Sequence, residues 1–273
     1  MDKDVIPLLR CPDTGSELDL AIRDDHDNQV VEGTLTSKSG GKQYPIREYI
    51  AEIMPSQPSK GVPDPRAWKA RSLELETGFL TKLFSPFEIS AFRNAVELSG
   101  EDWLLEVGCG RGRLSMHFTQ IPQRHVCTDI SFENLQICRD RIRNAGYRYT
   151  SWVRCDPLQL PFAADSFSKV FSAQLIAHLD QQTAAKEMLA EMARVCKATG
   201  GIALSGYSYD MFAAMRKDKS GVHKGGLHYT RFTREEFTDL LRSHLLVEEV
   251  SQKLQYIWVG NGVPMKEHSV RIT

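Results

Sequence analysis

Between residues 100 and 264 the chain alternates short apolar runs with longer amphipathic stretches, the pattern of strands buried on both faces separated by helices. Trp103 to Val107, His125 to Ser131, Phe167 to Ser172 and Gly200 to Ser205 read as strands. A helix follows the second of them. Thr183 to Lys197 reads as another, with Met188, Leu189, Met192, Val195 and Cys196 at helical spacing. Thr233 and Glu236 form a capping-box pair that opens a further helix, and Val247 to Ser251 and Leu254 to Val259 predict a closing antiparallel pair. This succession predicts an α/β fold with a mostly parallel sheet.

The first ~55 residues carry a different rhythm. Leu18 to Ile22, Gln29 to Thr36 and Gln43 to Met54 alternate as strands do, around Gly40 and Gly41, and predict a small β-rich domain over 1–55. Residues 55–65 hold four prolines and a glycine, which disfavour regular structure. Trp68 to Leu98 is helix-compatible, with a break expected at Ser85 and Pro86. Residues 56–99 are thus a linker with helices in which Phe79, Phe84 and Phe87 serve as core or as a lid, and 100–273 is the main domain.

The most specific chemistry lies in Glu106-Val107-Gly108-Cys109-Gly110-Arg111-Gly112. A chain passing from strand to helix in so few residues needs glycine backbone angles, and the missing Cβ lets a ligand lie on the main chain. The dinucleotide fingerprint would require Gly or Ala at 113, where Arg113 stands. An acid at 106 suits a cationic ligand. Asp129, about 20 residues past the first glycine, ends the second strand where a carboxylate can accept hydrogen bonds from ribose hydroxyls.

These segments, with Asp156-Pro157-Leu158-Gln159-Leu160-Pro161-Phe162 and with Ala177-His178-Leu179 after the fourth strand, resemble the motifs of class I S-adenosylmethionine (SAM) methyltransferases of the ubiquinone-biosynthesis-like type. The resemblance implies a Rossmann-like, seven-stranded, mostly parallel sheet flanked by helices, and SAM as cofactor. It assigns the cofactor to Glu106, Gly108, Cys109, Gly110, Asp129, Ile130, Cys155, Asp156, Pro157 and Ala173, with Asp156 on the adenine amine. His178, at the carboxyl end of the sheet, is the candidate catalytic base or pocket-lining residue. The segment 206–230 departs most from the core pattern and is expected to bind the acceptor through Tyr207, Tyr209, His223 and His228. The N-terminal stretch from Cys11-Pro12-Asp13-Thr14-Gly15 to Gly41-Lys42-Gln43-Tyr44-Pro45-Ile46 resembles the small zinc-ribbon-like domain of Trm-type methyltransferase activator proteins. Cys11 stands alone there, with no second cysteine before Cys109, so no metal site is expected.

Composition narrows the function further. A formal charge of −1 disfavours a dedicated nucleic-acid binder. Two basic groups nonetheless stand out, Arg139, Arg141, Arg143 and Arg148, and Arg216, Lys217, Lys219 and Lys224. The six cysteines form no C-x-x-C pair and are expected to be reduced and mostly buried. No apolar run approaches the ~18 residues of a membrane span and the start lacks a signal-peptide pattern, so no membrane partner and a cytoplasmic location are expected. The leading expectation is a SAM-dependent methyltransferase for a small aromatic or hydrophobic acceptor, with a homodimer compatible. A tRNA- or RNA-modifying enzyme and a catalytically silent SAM-binding subunit are the alternatives.

Overall fold

The computed structural model describes residues 1–68, 79–179, 182–210, 218–223, 226–253 and 257–266. Arg216, Lys217, Lys224 and the start of the strand expected from Leu254 lie outside the described residues.

Thirteen strands form one continuous sheet among the described residues. Its centre is β5 (Trp103–Val107), flanked by β6 (Arg124–Asp129) and β7 (Thr150–Arg154) on one side, and by β8 (Phe167–Ala173) and β9 (Cys196–Ser208) on the other, all parallel. Beyond β9, β13 (Ile257–Pro264) runs antiparallel and pairs with β12 (Leu245–Lys253). These seven strands are the Rossmann-like sheet expected. Two short strands, β10 (Ser220–Val222) and β11 (His228–Phe232), pair with each other, and β11 meets the end of β9 at Tyr207 and Ser208.

The pleat divides the apolar residues between two faces. Leu105, Val107, Val126, Val153 and Val170 pack in one cluster with Met188, Leu189 and Met192 of the helix Gln182–Val195. The alternate residues serve the opposite face. Cys127 and Trp152 pack with Leu135, Cys138 and Ile142 of the helix Phe132–Asn144, and Leu104 and Phe171 with Phe92 and Val96 of the helix Phe79–Val96. Ser131 caps Phe132–Asn144 by accepting from Asn134 N–H. Thr233 and Glu236 complete the expected capping box of the helix Arg234–Arg242.

Two expectations change. The helix Phe79–Val96 runs through Pro86 without a break, because Ala91, Phe92 and Val96 are buried and anchor it on the sheet despite the missing N–H. Phe87 is 52% exposed, and the Phe79 and Phe84 side chains lie outside the described residues. The segment Gln43–Met54 is not one strand but two, β3 (Gln43–Arg47) and β4 (Ile50–Glu52), split by Glu48 and Tyr49 with φ of 51° and 69°. Such turns favour Asn-Gly. Here the side chains repay the strain by contact: Glu48 accepts from Arg139 at 2.7 Å, and the Arg143 guanidinium lies 3.8 Å from the Tyr49 ring centroid.

The N-terminal strands β1 (Leu18–His26), β2 (Gln29–Ser37), β3 and β4 form an antiparallel meander that extends the central sheet. β4 pairs in parallel with β7, Ile50 opposite Trp152 and Glu52 opposite Arg154. Val5, Leu9, Leu35, Tyr44, Ile46 and Ile53 belong to the same buried cluster as Val153 and Phe162. Polar ties cross the same junction, including Arg154 to Glu52 at 2.9 Å, Arg143 to Gln29 Oε1 at 2.8 Å and Arg124 to Asp2 at 3.0 Å. The edge that β7 would otherwise expose is covered.

Candidate functional site

A cavity opens at the carboxyl ends of β5, β6 and β8, the end of an open α/β sheet where ligands bind. It encloses ≈ 890 Å³ of empty space including its mouth, a size suited to one small molecule. Of the residues assigned to the cofactor, Glu106, Gly108, Cys109, Gly110, Asp129, Ile130, Cys155, Pro157 and Ala173 line it.

The glycine loop is held by its own backbone chemistry. Gly108, Gly110 and Gly112 have φ of 78°, 55° and 83°, the left-handed region that side chains disfavour. A Cβ on Gly108 would approach Leu175 to 2.8 Å. The N–H groups of Gly108 and Cys109 both donate to the Thr128 carbonyl, at 2.9 and 2.8 Å, which fixes the loop to the end of β6.

Asp129 sits between loop and helix. Its Oδ2 accepts from Gly110 N–H and its Oδ1 from Ser131 N–H, each at 2.9 Å. Burial pushes the carboxyl up to about 6 against these two hydrogen bonds, which favour the charge. The Asn134 side chain hydrogen-bonds to it as well, so three donors already serve its roughly four acceptor positions and about one is left. Glu106 is buried with its Oε2 3.3 Å from His125 Nε2, so its charge faces the neighbouring strand.

Asp156 is placed differently from its neighbours Cys155 and Pro157. It is fully buried, and its carboxylate accepts from Ser59 N–H of the proline-rich linker and from Leu158 N–H, both at 2.9 Å. The linker thereby closes over this end of the site, and Val62 and Trp68 complete the wall.

On the acceptor side, His178 is buried in the cavity wall. Its Nδ1 lies 2.8 Å from the His228 carbonyl, which can only accept, so Nδ1 carries the proton. The Tyr207 hydroxyl lies 3.1 Å from Nε2 and hydrogen-bonds to it, so both ring nitrogens are engaged. Around this pair stand three more rings: Trp68 edge-on to His178 at 5.1 Å, His223 at 5.4 Å, and Tyr229 at 4.5 Å from His223. His228 contributes its carbonyl while the residue is exposed, and Tyr209 donates its N–H to the Phe232 carbonyl at 2.8 Å.

Sequence reasoning passed over Trp68, Arg113, Thr128, Gln174 and Leu175 among the lining residues. Gln174 has a φ of 62°, held by bonds from its N–H to Ser205, and its Nε2 donates to Glu88 at 2.7 Å. Glu88 in turn meets Arg113 at 2.8 Å. Gln174 Oε1 is buried with no partner among the described residues. Only its place directly after a strand could have flagged it.

A doubly wound sheet with a glycine loop and an acid at the tip of the next strand defines a nucleotide- or adenosyl-binding domain. Residues 104–200 match the family model described as a methyltransferase domain. Methyltransferase GfsG of Streptomyces halstedii is 28% identical over 112 residues, 40% of this chain and 39% of that protein. Demethylmenaquinone methyltransferase of Thermobifida fusca is 29% identical over 118 residues, 42% and 48% respectively. The chain thus spans less than half the length of these curated relatives. In fold, the structure of N-methyltransferase NodS from Bradyrhizobium japonicum in complex with S-adenosyl-L-homocysteine superposes with a TM-score of 0.57, at 16% identity, over 74% of this chain and all of that one. Residues 104–200 are thus similar to a methyltransferase domain, on a fold shared with the S-adenosyl-L-homocysteine-bound enzyme.

Proposed function

We propose that this protein transfers the SAM methyl group to a small aromatic or hydrophobic acceptor. The carrying observation is the continuity of the cavity: the wall that begins at the glycine loop ends at Trp68 and His178, which are themselves part of the ring cluster with Tyr207, His223 and Tyr229. Such a lining suits a flat apolar molecule.

The residues present fit the cofactor. Asp129 offers a remaining acceptor lone pair for a ribose hydroxyl, the left-handed glycines leave main chain open to a ligand, and Gln174 Oε1 is a buried acceptor for the ammonium group. Held by these residues, SAM would supply an activated methyl on a sulfonium, with neutral S-adenosylhomocysteine as the leaving group. The chain's part is placement, which can contribute roughly 7–11 kcal/mol when the reacting atoms are held near attack geometry. His178, held through Nδ1 by the His228 carbonyl and through Nε2 by the Tyr207 hydroxyl, sets an imidazole able to exchange a proton along this pair in the cavity wall at the carboxyl end of β8.

The RNA alternative gains little support. Arg139 and Arg148 pair with Glu48 and Asp27, and Arg141 and Arg143 donate to the Arg111 carbonyl and Gln29, so these cations serve the fold. No helix among the described residues is long and apolar enough to cross a membrane.

The test is S-adenosylhomocysteine release with a panel of small phenols, quinols and heteroaromatic amines, run beside bulk tRNA. Turnover with at least one small acceptor is expected. Release with tRNA and with none of the panel would overturn the proposal.

A further inference from the structure

Three thiols converge beneath the glycine loop from three different elements. Cys109 comes from the loop, Cys127 from β6 and Cys138 from the helix Phe132–Asn144. Their Sγ atoms all lie within 4.8 Å of one another, and all three residues are buried. The local fold brings them together for reasons readable in the backbone. Cys127 takes the face of β6 turned toward this helix, and Cys138 shares the buried stripe of Leu135 and Ile142. Gly112 lets the loop lie directly on Cys138: a Cβ there would stand 2.9 Å from its Sγ.

We propose that this triad is a site for one soft monovalent cation of the Cu(I) class, held by three sulfurs. The donor set excludes hard ions, because all three ligands are soft and none is oxygen. The count disfavours structural zinc, which takes four ligands, since no fourth ligand atom joins these three within the same distance among the described residues. Size agrees as well: metal–sulfur bonds of about 2.3 Å place three trigonal sulfurs about 4 Å apart, inside the 4.8 Å within which these three lie. Each metal–sulfur bond is made by a thiolate, the ligating thiol giving its proton to solvent as the bond forms.

Access is through the cofactor cavity. Cys109 lines it and keeps 6% exposure, whereas Cys127 and Cys138 have none. A molecule resting on the glycine loop would cover Cys109, so a bound cofactor should block uptake. This gating rests on the methyltransferase reading; the site itself does not.

The experiment is an anaerobic titration of the reduced full chain with Cu(I) against bicinchoninate as chromophoric competitor, with sulfur coordination read by X-ray absorption. One equivalent retained on three sulfurs is expected. Cys138→Ser and Cys127→Ser should weaken retention by more than the roughly 10–100-fold that second-shell changes cost, while Cys11→Ser and Cys196→Ser, at buried cysteines outside the triad, retain it. Where a core variant fails to fold by circular dichroism, Cys109→Ser in the loop gives the same reading. No retained copper, or equal retention in both sets of variants, overturns the site. Prior saturation with S-adenosylhomocysteine should slow uptake at least about tenfold, the effect of occluding one obligatory route. Unchanged uptake on a chain that still retains one equivalent overturns the gating alone.

Discussion

Replacing Asp129 by Asn keeps the side chain's shape and removes its charge, which isolates what the carboxylate does. In the native chain the carboxylate already accepts from the Gly110 and Ser131 N–H groups and from the Asn134 side chain, so the lone pair that remains is the one a ribose would use. Hydrogen bonds to a charged acceptor are worth about 1.5–3 kcal/mol each. Losing one such bond therefore lowers affinity by roughly 10- to 150-fold. Isothermal titration with S-adenosylhomocysteine measures this directly. A dissociation constant unchanged in a variant that melts as a folded protein would refute the ribose assignment.

The same residue fixes a pH dependence whose sign can be worked out. Burial raises the Asp129 carboxyl to about 6 from the usual 3.8, so the ligand-free chain holds this proton at pH 5. Hydroxyl donors need the carboxylate, so affinity should fall as pH drops, by about tenfold at pH 5 relative to pH 8. Stability runs the other way. The favourable contribution is complete below about pH 4 and is lost as pH rises through about 6, by at most about 3 kcal/mol. Asp129→Asn should flatten both profiles, and an unaltered affinity profile in the variant would assign the titration to another group.

Three further outcomes follow from local geometry. Gly112→Ala combines a φ of 83° with a Cβ 2.9 Å from Cys138 Sγ, and should cost about 2–4 kcal/mol in urea unfolding; a loss below 1 kcal/mol would show that the loop relaxes freely. Thr233→Ala removes the reciprocal cap with Glu236 and should lower stability by about 1 kcal/mol, readable in the same assay, with no change expected if the helix frays in the native chain. Tyr207→Phe removes one buried hydrogen bond to His178, so about 1 kcal/mol of stability and a shifted pH–rate profile are expected; an identical profile would remove the pair from the chemistry.

What could be read from the sequence was whatever depends on neighbours along the chain. β5 is Trp103–Val107 in the structure as in the apolar run, and the Thr233–Glu236 cap closes as its spacing requires, because both rest on residues within a turn or a strand of each other. Asp129 falls beside Gly110 for a related reason: the loop and the end of β6 are neighbours in any parallel pair joined by one crossover. Asp156 shows where such reasoning stops. Its motif is intact, yet its carboxylate is taken by Ser59 N–H, 97 positions earlier, from a linker whose prolines announce only irregular backbone. Gln174, Trp68 and the thiol triad are the same case. Cys109, Cys127 and Cys138 have no ligand spacing, because one sits on a loop, one on a strand and one on a helix, and only the sheet's pleat turns the last two toward each other. The N-terminal strands make the converse point. Their alternation predicts a β unit, but not that Ile50 would lie opposite Trp152, since an edge strand's partner is decided by which sheet edge stands uncovered. Here that edge belongs to β7, and the linker that follows β4 sets Ser59 N–H on Asp156 and Val62 and Trp68 in the cavity wall. The linker after the N-terminal unit is therefore part of the cavity's architecture, with Val62 and Trp68 in its wall.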